Sequence, residues 1–295
     1  MPTIPSDSAS HQARQRTNAL LPGRWNAVRE LPMVSHAHDN PELARTYDRV
    51  SDPQFEGGQR LVEGLALEPG ERVLDVGCGT GRLAEWMATR TGPNVVGVDP
   101  LPERVALARQ RAPNLRFEVA RAEELGAFAD GSFDAACLSA VFHWIEDKAR
   151  ALAELARVLR TGGRLGITTR AAELQRAGTL AEVLVPLLRR PPYRDHATRE
   201  ASACAATLTE IVTLLQQAAF ELRELHVIQR RRWHPHGEDA VDFYESSAFG
   251  NLLSVVPEDL RPRIRADLAA AFETRRRPAG IPLLDYGVLL VAVHR

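Results

Sequence analysis

The sequence predicts an α/β fold built on a doubly wound, mostly parallel sheet with helices on both faces. Two observations predict it. Short apolar runs alternate with helix-like segments between residues 72 and 169, and the links between them are short. A chain of 295 residues that is 44% hydrophobic can also bury a core of that size. In such a sheet the crossovers are right-handed, and ligands bind at the carboxyl ends of the strands.

The elements of this sheet follow one another along the chain. Two helices precede it: the first begins near Asn40, an N-cap residue followed by Pro41, and the second covers about residues 57–67. The predicted strands lie near residues 72–76, 94–98, 115–119, 133–138 and 163–169. The helices between them lie near residues 81–90, 102–111 and 146–158.

The alternation ends after residue 170. Helical periodicity then covers residues 171–206, 207–218 and 237–277, with a strand near 220–229 and a last strand at 283–294. We therefore expect four parts. They are a mobile N-terminal arm (1–35), a core with N-terminal lid helices (36–170), helical cap insertions interleaved with late core elements (171–281), and a final core strand (282–295).

Charge and cysteine content exclude several classes of protein. A net charge of −1 argues against nucleic-acid binding, and no apolar run is long enough for a signal peptide or a membrane span. Cys78, Cys137 and Cys204 are too few for a disulfide framework and fit a reducing compartment. The arginine runs 230–232 and 275–277 are interpreted as solvated surface. We expect no metal site, and a monomer or homodimer in the bacterial cytoplasm.

A glycine-rich turn follows the first core strand. Residues 73–81 read Val-Leu-Asp-Val-Gly-Cys-Gly-Thr-Gly. The glycines remove the Cβ atoms where the chain bends tightly and where a ligand can touch the backbone. A helix begins at Arg82, so its free N–H groups face whatever lies on the turn.

The glycine spacing and two carboxylates indicate which ligand the turn holds. A dinucleotide fingerprint needs a glycine where this chain has Arg82, and a P-loop needs a lysine that is absent here. Asp75 would repel a pyrophosphate and would suit a cation. Asp99 ends the next apolar run, about 20 residues on, where an acid receives a pair of ribose hydroxyls. These features predict a positively charged nucleoside without phosphates, a description that fits S-adenosylmethionine.

Five motifs occur in order over residues 70–170. They are Asp75-Val-Gly-Cys-Gly-Thr-Gly, Val98-Asp-Pro, Ala120-Arg-Ala-Glu-Glu-Leu, the segment from Phe133 to Trp144, and the segment from Leu155 to Leu165. Together they resemble the class I S-adenosylmethionine-dependent methyltransferases of the type 11 branch, which includes the trans-aconitate and biotin-pathway methyltransferases. The resemblance implies a Rossmann-like, seven-stranded sheet, mostly parallel with an antiparallel last strand, and a helical cap that selects the acceptor.

S-adenosylmethionine, the methyl donor, would contact a different set of residues with each of its parts. The backbone at Gly77 and Gly79 would approach the methionine moiety. Asp75 would reach the sulfonium or ammonium region, and Asp99 would accept both ribose hydroxyls. The resemblance adds these cofactor-binding residues: Tyr47, Arg60, Cys78, Pro100, Leu101, Ala122, Glu123 and Ser139. Pro100 and Leu101 would face the adenine. Since Arg121 replaces the acid usual before Ala122, the adenine amino group would be bound by Glu123, by a backbone carbonyl, or by neither.

His143-Trp144 is the sharpest feature on the acceptor side. His143 is a candidate general base because histidine titrates near neutral pH. The alternative is that it lines the cleft beside a packed Trp144. Tyr47, in a Tyr-Asp pair, would fold over the donor, as in relatives of this branch.

These features predict an enzyme that transfers a methyl group to a small organic acceptor by in-line displacement. S-adenosylhomocysteine would be the product. Two alternatives stay open from the residues: a nicotinamide-dependent oxidoreductase on a related sheet, and a non-catalytic S-adenosylmethionine-binding regulatory protein.

Overall fold

A seven-stranded mixed sheet lies at the centre of the described part of the chain. The computed structural model describes residues 39–174, 178–195, 205–248 and 251–295. The predicted arm of residues 1–35 and Cys204 lie outside the described residues, as do short pieces of the predicted cap.

The sheet has the topology that the sequence predicts. Its strands are β1 (Val73–Val76), β2 (Val95–Asp99), β3 (Arg116–Val119), β4 (Phe133–Ser139), β5 (Leu159–Thr169), β6 (Phe220–His234) and β7 (Ile281–His294). They are ordered β3-β2-β1-β4-β5-β7-β6, and β7 runs antiparallel to both of its neighbours. The pairs among β1 to β5 are parallel, so the predicted Rossmann-like class is confirmed. Because the chain leaves β1 toward β2 but returns to β4 on its other side, a crevice opens at their carboxyl ends.

The described helices include all five that are predicted within residues 36–170, although the second begins at Asp52 and not near Gly57. They are α1 (Pro41–Val50), α2 (Asp52–Leu65), α3 (Arg82–Thr91), α4 (Pro102–Arg111), α5 (Lys148–Val158), α6 (Thr179–Leu188), α7 (Leu208–Gln217), α8 (Gly237–Ser247) and α9 (Arg261–Glu273). The Asn40 side chain caps α1 as expected, accepting from the Leu43 N–H at 2.9 Å. None of the described helices is long and apolar enough to cross a membrane.

Two apolar layers cover the sheet because its central strands are buried on both faces. All four residues of β1 are buried, as in a parallel sheet between helix layers. One layer contains the apolar faces of α5 and α7, and the other contains those of α2, α3 and α4. In α5, for example, Ala151, Leu152, Leu155 and Val158 follow the helical period and are buried.

A third apolar cluster lies beside the first residues of β7. It joins α6, α8 and α9 to Ile281 and Leu283, and its largest members include Phe243 and Phe272. These helices lie within residues 171–281, for which the sequence predicts helical cap insertions. They therefore stand on the antiparallel strand β7 and not on a separate linker.

Strand β6 is longer than the sequence predicts. The prediction ends it at Gln229, but the strand continues to His234 because residues 230–234 pair with residues 281–285 of β7. The added segment is rich in arginine, so it lacks the apolar alternation that marks a strand. Cross-strand hydrogen bonding to β7 stabilises the strand conformation of residues 230–234, which their local sequence does not favour.

A buried ion pair joins the start of α1 to α4. Two nitrogens of the Arg104 guanidinium donate to the Asp39 carboxylate, at 3.0 and 3.3 Å, and both side chains are at most 3% exposed. Arg104 also donates to the Ser246 carbonyl in α8 and lies over the Tyr47 ring, 4.3 Å from its centroid. One guanidinium therefore fixes the relative position of α1, α4 and α8.

We expect Asp39→Ala to lower the free energy of unfolding by about 3 kcal/mol, because it leaves the buried Arg104 without its carboxylate. Urea denaturation measures the change. Asp52→Ala is the matched control, since Asp52 pairs with Arg82 but is 70% exposed. The control should change stability by less than about 1 kcal/mol. Equal effects of the two substitutions would contradict a structural role for the buried pair.

Candidate active site

A deep cavity opens at the carboxyl ends of the strands, where the topology predicts a ligand site. It encloses about 1100 Å³, including its open mouth. Its walls come from the glycine turn, the end of β2, the loop at 120–123, the end of β4, and the ends of β5, β6 and β7. A cavity at the carboxyl ends of parallel strands, lined by several separate elements, is the usual ligand site of such a sheet.

The glycine turn needs its glycines at two places in this cavity. Gly77 has φ +73°, and a Cβ there would meet Val141 at 2.2 Å. Gly79 has φ +54° and lines the cavity. The N–H groups of Gly77 and Cys78 both donate to the Val98 carbonyl, at 2.7 and 3.0 Å. The first part of the turn is therefore bonded to β2.

The Asp99 carboxylate holds the next part of the turn. Its Oδ2 accepts from the Gly79 N–H and its Oδ1 from the Leu101 N–H, both at 2.9 Å. Asp99 is 6% exposed and lines the cavity. Burial raises the pKa of Asp99, while Arg104 and the two N–H donors oppose the rise. Each carboxylate oxygen keeps a second lone pair, so Asp99 can still accept hydroxyl groups from a ligand.

Helix α1 is tied onto the outside of the same turn. Asp48 accepts hydrogen bonds from the Thr80 hydroxyl and from Arg111, the latter at 2.7 Å. Tyr47, one residue earlier, lines the cavity, and its ring lies 3.7 Å from where a Cβ of Gly79 would stand. The Tyr-Asp pair therefore does two things: Asp48 fixes the helix and Tyr47 covers the turn.

The expected adenine side of the cavity is formed by four of the predicted residues. Pro100, Leu101, Ala122 and Glu123 all line it. Arg121 lines it too and donates to Glu123 Oε1 at 3.3 Å. The Glu123 side chain is 9% exposed, and its remaining lone pairs are free to accept from a ligand.

Ser139 is the last residue of β4, and His143 lies in the short segment that follows this strand. Both line the cavity, and His143 is 3% exposed with its ring 4.9 Å from that of Trp144. The His143 Nδ1 lies 3.3 Å from Thr169 Oγ1, and this hydroxyl donates to the Arg170 carbonyl. The tautomer with the proton on Nδ1 satisfies both of these contacts and leaves Nε2 with its lone pair. Burial, with smaller effects from Arg170 and Lys148, holds the pKa of His143 well below its usual value.

The structure places the side chains of three predicted residues outside the cavity wall. Arg60 is exposed on α2. The Cys78 sulfur packs against β2, 2.9 Å from the position that a Cβ of Gly97 would occupy. Asp75 faces the helix layer because strand residues alternate: Val76 lines the cavity and its neighbour points away.

Asp75 is instead a buried acid with one free oxygen. It is 2% exposed; Oδ1 accepts from the Cys137 thiol at 3.4 Å, and Oδ2 has no hydrogen-bond partner among the described residues. Burial raises the pKa of Asp75 to about 7, while the thiol hydrogen bond opposes the rise.

Several residues of the cavity wall were not predicted. They include Gln54, Arg170, Arg230, Arg232 and Asp285. The interpretation of residues 230–232 as solvated surface is wrong for two of the three, because Arg230 and Arg232 line the cavity and Arg231 is exposed. The period-two alternation of a strand explains the difference, and recognising β6 through residue 234 would have revealed it.

The chain is similar to known methyltransferases in both sequence and fold. The Methyltransf_11 family, described as a methyltransferase domain, matches residues 74–167. Methyltransferase GfsG of Streptomyces halstedii is 32% identical over 185 residues, covering 59% of this chain and 63% of GfsG. A malonyl-[acyl-carrier protein] O-methyltransferase of Pectobacterium atrosepticum is 31% identical over 175 residues, covering 55% of this chain and 68% of the relative. The chain thus spans less than two thirds of GfsG.

A solved structure shows the same fold. The YcgJ protein of Bacillus subtilis aligns with a TM-score of 0.58 and 21% identity, covering 81% of this chain and 98% of YcgJ. With the sequence relatives, the fold and the glycine turn, the chain belongs to the class I S-adenosylmethionine-dependent methyltransferases. The family that the five sequence motifs predict is thereby confirmed.

We expect Asp75→Asn to change the pH dependence of stability. Between about pH 4 and pH 7 the folded wild type holds a proton on Asp75 that the unfolded chain has released, so stability falls as pH rises through this window. Asparagine does not titrate. From pH 5.5 to pH 8.5 the variant should therefore gain about 2 kcal/mol relative to the wild type, measured by urea denaturation at each pH.

The control for this comparison is Asp130→Asn, at an 81% exposed carboxylate. Its stability difference from the wild type should stay constant over the same pH range. Parallel curves for Asp75→Asn and the wild type would contradict the raised pKa.

Proposed function

We propose that this protein transfers a methyl group from S-adenosylmethionine to a small organic acceptor held in the same cavity. The observation that carries the proposal is the Asp99 carboxylate, buried at the end of β2, bonded to the glycine turn and still facing the cavity. Family membership supports S-adenosylmethionine as the donor. We propose that the acceptor binds beside the donor, near His143, which also lines the cavity.

The residues present fit this donor. We propose that Asp99 accepts the ribose hydroxyls, that Pro100 and Leu101 lie against the adenine, and that Ala122 and Glu123 border its edge. Tyr47 covers the turn, and the backbone at Gly77, Gly79 and Ser139 borders the methionine end. The bound donor supplies an activated methyl group, so the protein's own contribution is to align the acceptor and exclude water.

A pyrophosphate-bearing cofactor fits the turn less well. Phosphate sites on such turns use free backbone N–H groups. Here the N–H groups of Gly77 and Cys78 are bonded to Val98, and that of Gly79 is bonded to Asp99. The carboxylate adds a negative charge where a pyrophosphate would lie. The nicotinamide-dependent alternative is therefore the weaker proposal.

We propose that His143 receives a proton from the acceptor or positions the acceptor. A general base must be unprotonated, and the lowered pKa keeps this imidazole neutral at physiological pH. The Thr169 hydroxyl fixes the ring with the Nε2 lone pair available. A low pKa also makes it a weak base, so it suits an acceptor that gives up its proton readily.

We expect Asp99→Ala to weaken binding of S-adenosylhomocysteine by about 1–3 kcal/mol, because the ribose hydroxyls lose a charged acceptor. Isothermal titration calorimetry measures the affinity. The Asp130→Ala variant serves as the control and should bind as tightly as the wild type. NAD should give no heat with the wild-type protein. Binding of NAD without binding of S-adenosylhomocysteine would overturn the proposal in favour of the oxidoreductase.

We expect His143→Gln to lower kcat by about 100-fold or more if the imidazole takes the acceptor's proton. The affinity for S-adenosylhomocysteine should stay within about twofold. Product formation by mass spectrometry, with an acceptor found in a panel of small organic compounds, measures the rate. His226→Gln, at an exposed histidine of β6, is the control. A kcat equal to that of the wild type would leave His143 as a wall residue, and no turnover with any acceptor would favour the regulatory alternative.

A further inference from the structure

Three arginines line one wall of the cavity, where β5 ends and β6 pairs with β7. They are Arg170, Arg230 and Arg232. Asp285 of β7 lines the same wall and lies 3.4 Å from an Nη of Arg232. Neither the Arg170 nor the Arg230 guanidinium makes a hydrogen bond or an ion pair with any described residue. One carboxylate thus faces three guanidinium groups.

Two of these charges, on Arg230 and Arg232, are largely removed from water. The Arg232 side chain is 8% exposed, its guanidinium lies over the Phe243 ring at 4.6 Å, and its Nε has no hydrogen-bond partner among the described residues. Burial lowers the pKa of both Arg230 and Arg232. A buried charge without a full set of partners destabilises a fold, so such a cluster indicates a function that requires it.

Two glycines leave room for the Arg230 guanidinium, one on each side of it. A Cβ at Gly57 of α2 would stand 3.2 Å from an Arg230 Nη, and a Cβ at Gly287 of β7 would stand 3.4 Å from its Cζ. Larger side chains at these two glycines would crowd the guanidinium. Arg230 therefore lies in a slot between α2 and β7, with its donors left for something in the cavity.

We propose that Arg170, Arg230 and Arg232 bind an oxyanionic group, a carboxylate or a phosphate, of the methyl acceptor. The planar guanidinium matches both groups through paired N–H donors. Arg232 keeps Asp285 as its resident partner, so Arg230 and Arg170 supply the unpaired donors. This inference rests on the proposed methyl transfer, and it narrows the acceptor class to organic anions.

The test uses the full chain saturated with S-adenosylhomocysteine, and citrate or inorganic phosphate as the probe. Either anion should raise the Tm of the wild type, and sodium chloride at equal ionic strength should not. Arg230→Gln should bind the effective anion about tenfold more weakly, because paired charged hydrogen bonds are lost. Arg231→Gln is the matched control, since Arg231 is exposed between the two cavity arginines. It should respond like the wild type.

Each outcome decides a separate point. A response to citrate alone indicates a carboxylate acceptor, and a response to phosphate alone indicates a phosphorylated one. If Arg230→Gln does not fold, Arg170→Gln gives the same comparison at the other cavity arginine that has no ion pair with a described residue. The anion site is overturned if the cavity variant (Arg230→Gln or Arg170→Gln) responds to the anion as strongly as Arg231→Gln does. It is also overturned if neither anion raises the Tm of the wild type, provided that S-adenosylhomocysteine still binds. If the wild type does not bind S-adenosylhomocysteine, the proposed function itself is contradicted.

Discussion

The hydrogen bonds of the Asp99 carboxylate are the constraint on which the site depends. One side chain joins the glycine turn after β1 to the start of α4 after β2, through the Gly79 and Leu101 N–H groups. Val98, the residue before it, accepts from the beginning of the same turn. The N–H groups of Gly77, Cys78 and Gly79 are thereby used within the protein. The ligand meets a carboxylate and bare glycine backbone, which favours hydroxyl groups and positive charge over phosphates.

Carboxylates and arginines line different parts of the cavity. Asp99 and Glu123 line it at β2 and the loop that follows β3, where Arg121 pairs with Glu123, and Arg170 and Arg230 line it after β5 and in β6. Such charges act more strongly on a ligand where the ligand excludes water. A cationic donor and an anionic acceptor would each be drawn to the opposite charges, and His143 lies between the elements that carry them. Binding and alignment would then come from the same arrangement of charges.

Much of the fold could be predicted because its rules are local. The apolar runs at 73–76 and 95–99, the capping residue Asn40 and the apolar period of α5 each show in a short window of sequence. The arginine end of β6 could not be found this way. Its strand conformation depends on pairing with residues 281–285, about fifty residues further along the chain, and pairing of that kind leaves no local pattern.

The sequence by itself determined the glycine turn, the acid at position 99 and the family, because these depend on which residues follow one another. Tertiary structure decided which side chains share the cavity. Strand alternation turned Asp75 away from it, and the same alternation on β6 turned Arg230 and Arg232 into it while leaving Arg231 exposed. A donor site built on one turn is therefore visible in the chain. An acceptor site assembled from the ends of separate strands appears only when the sheet forms, because its residues are distant in sequence and meet only by packing.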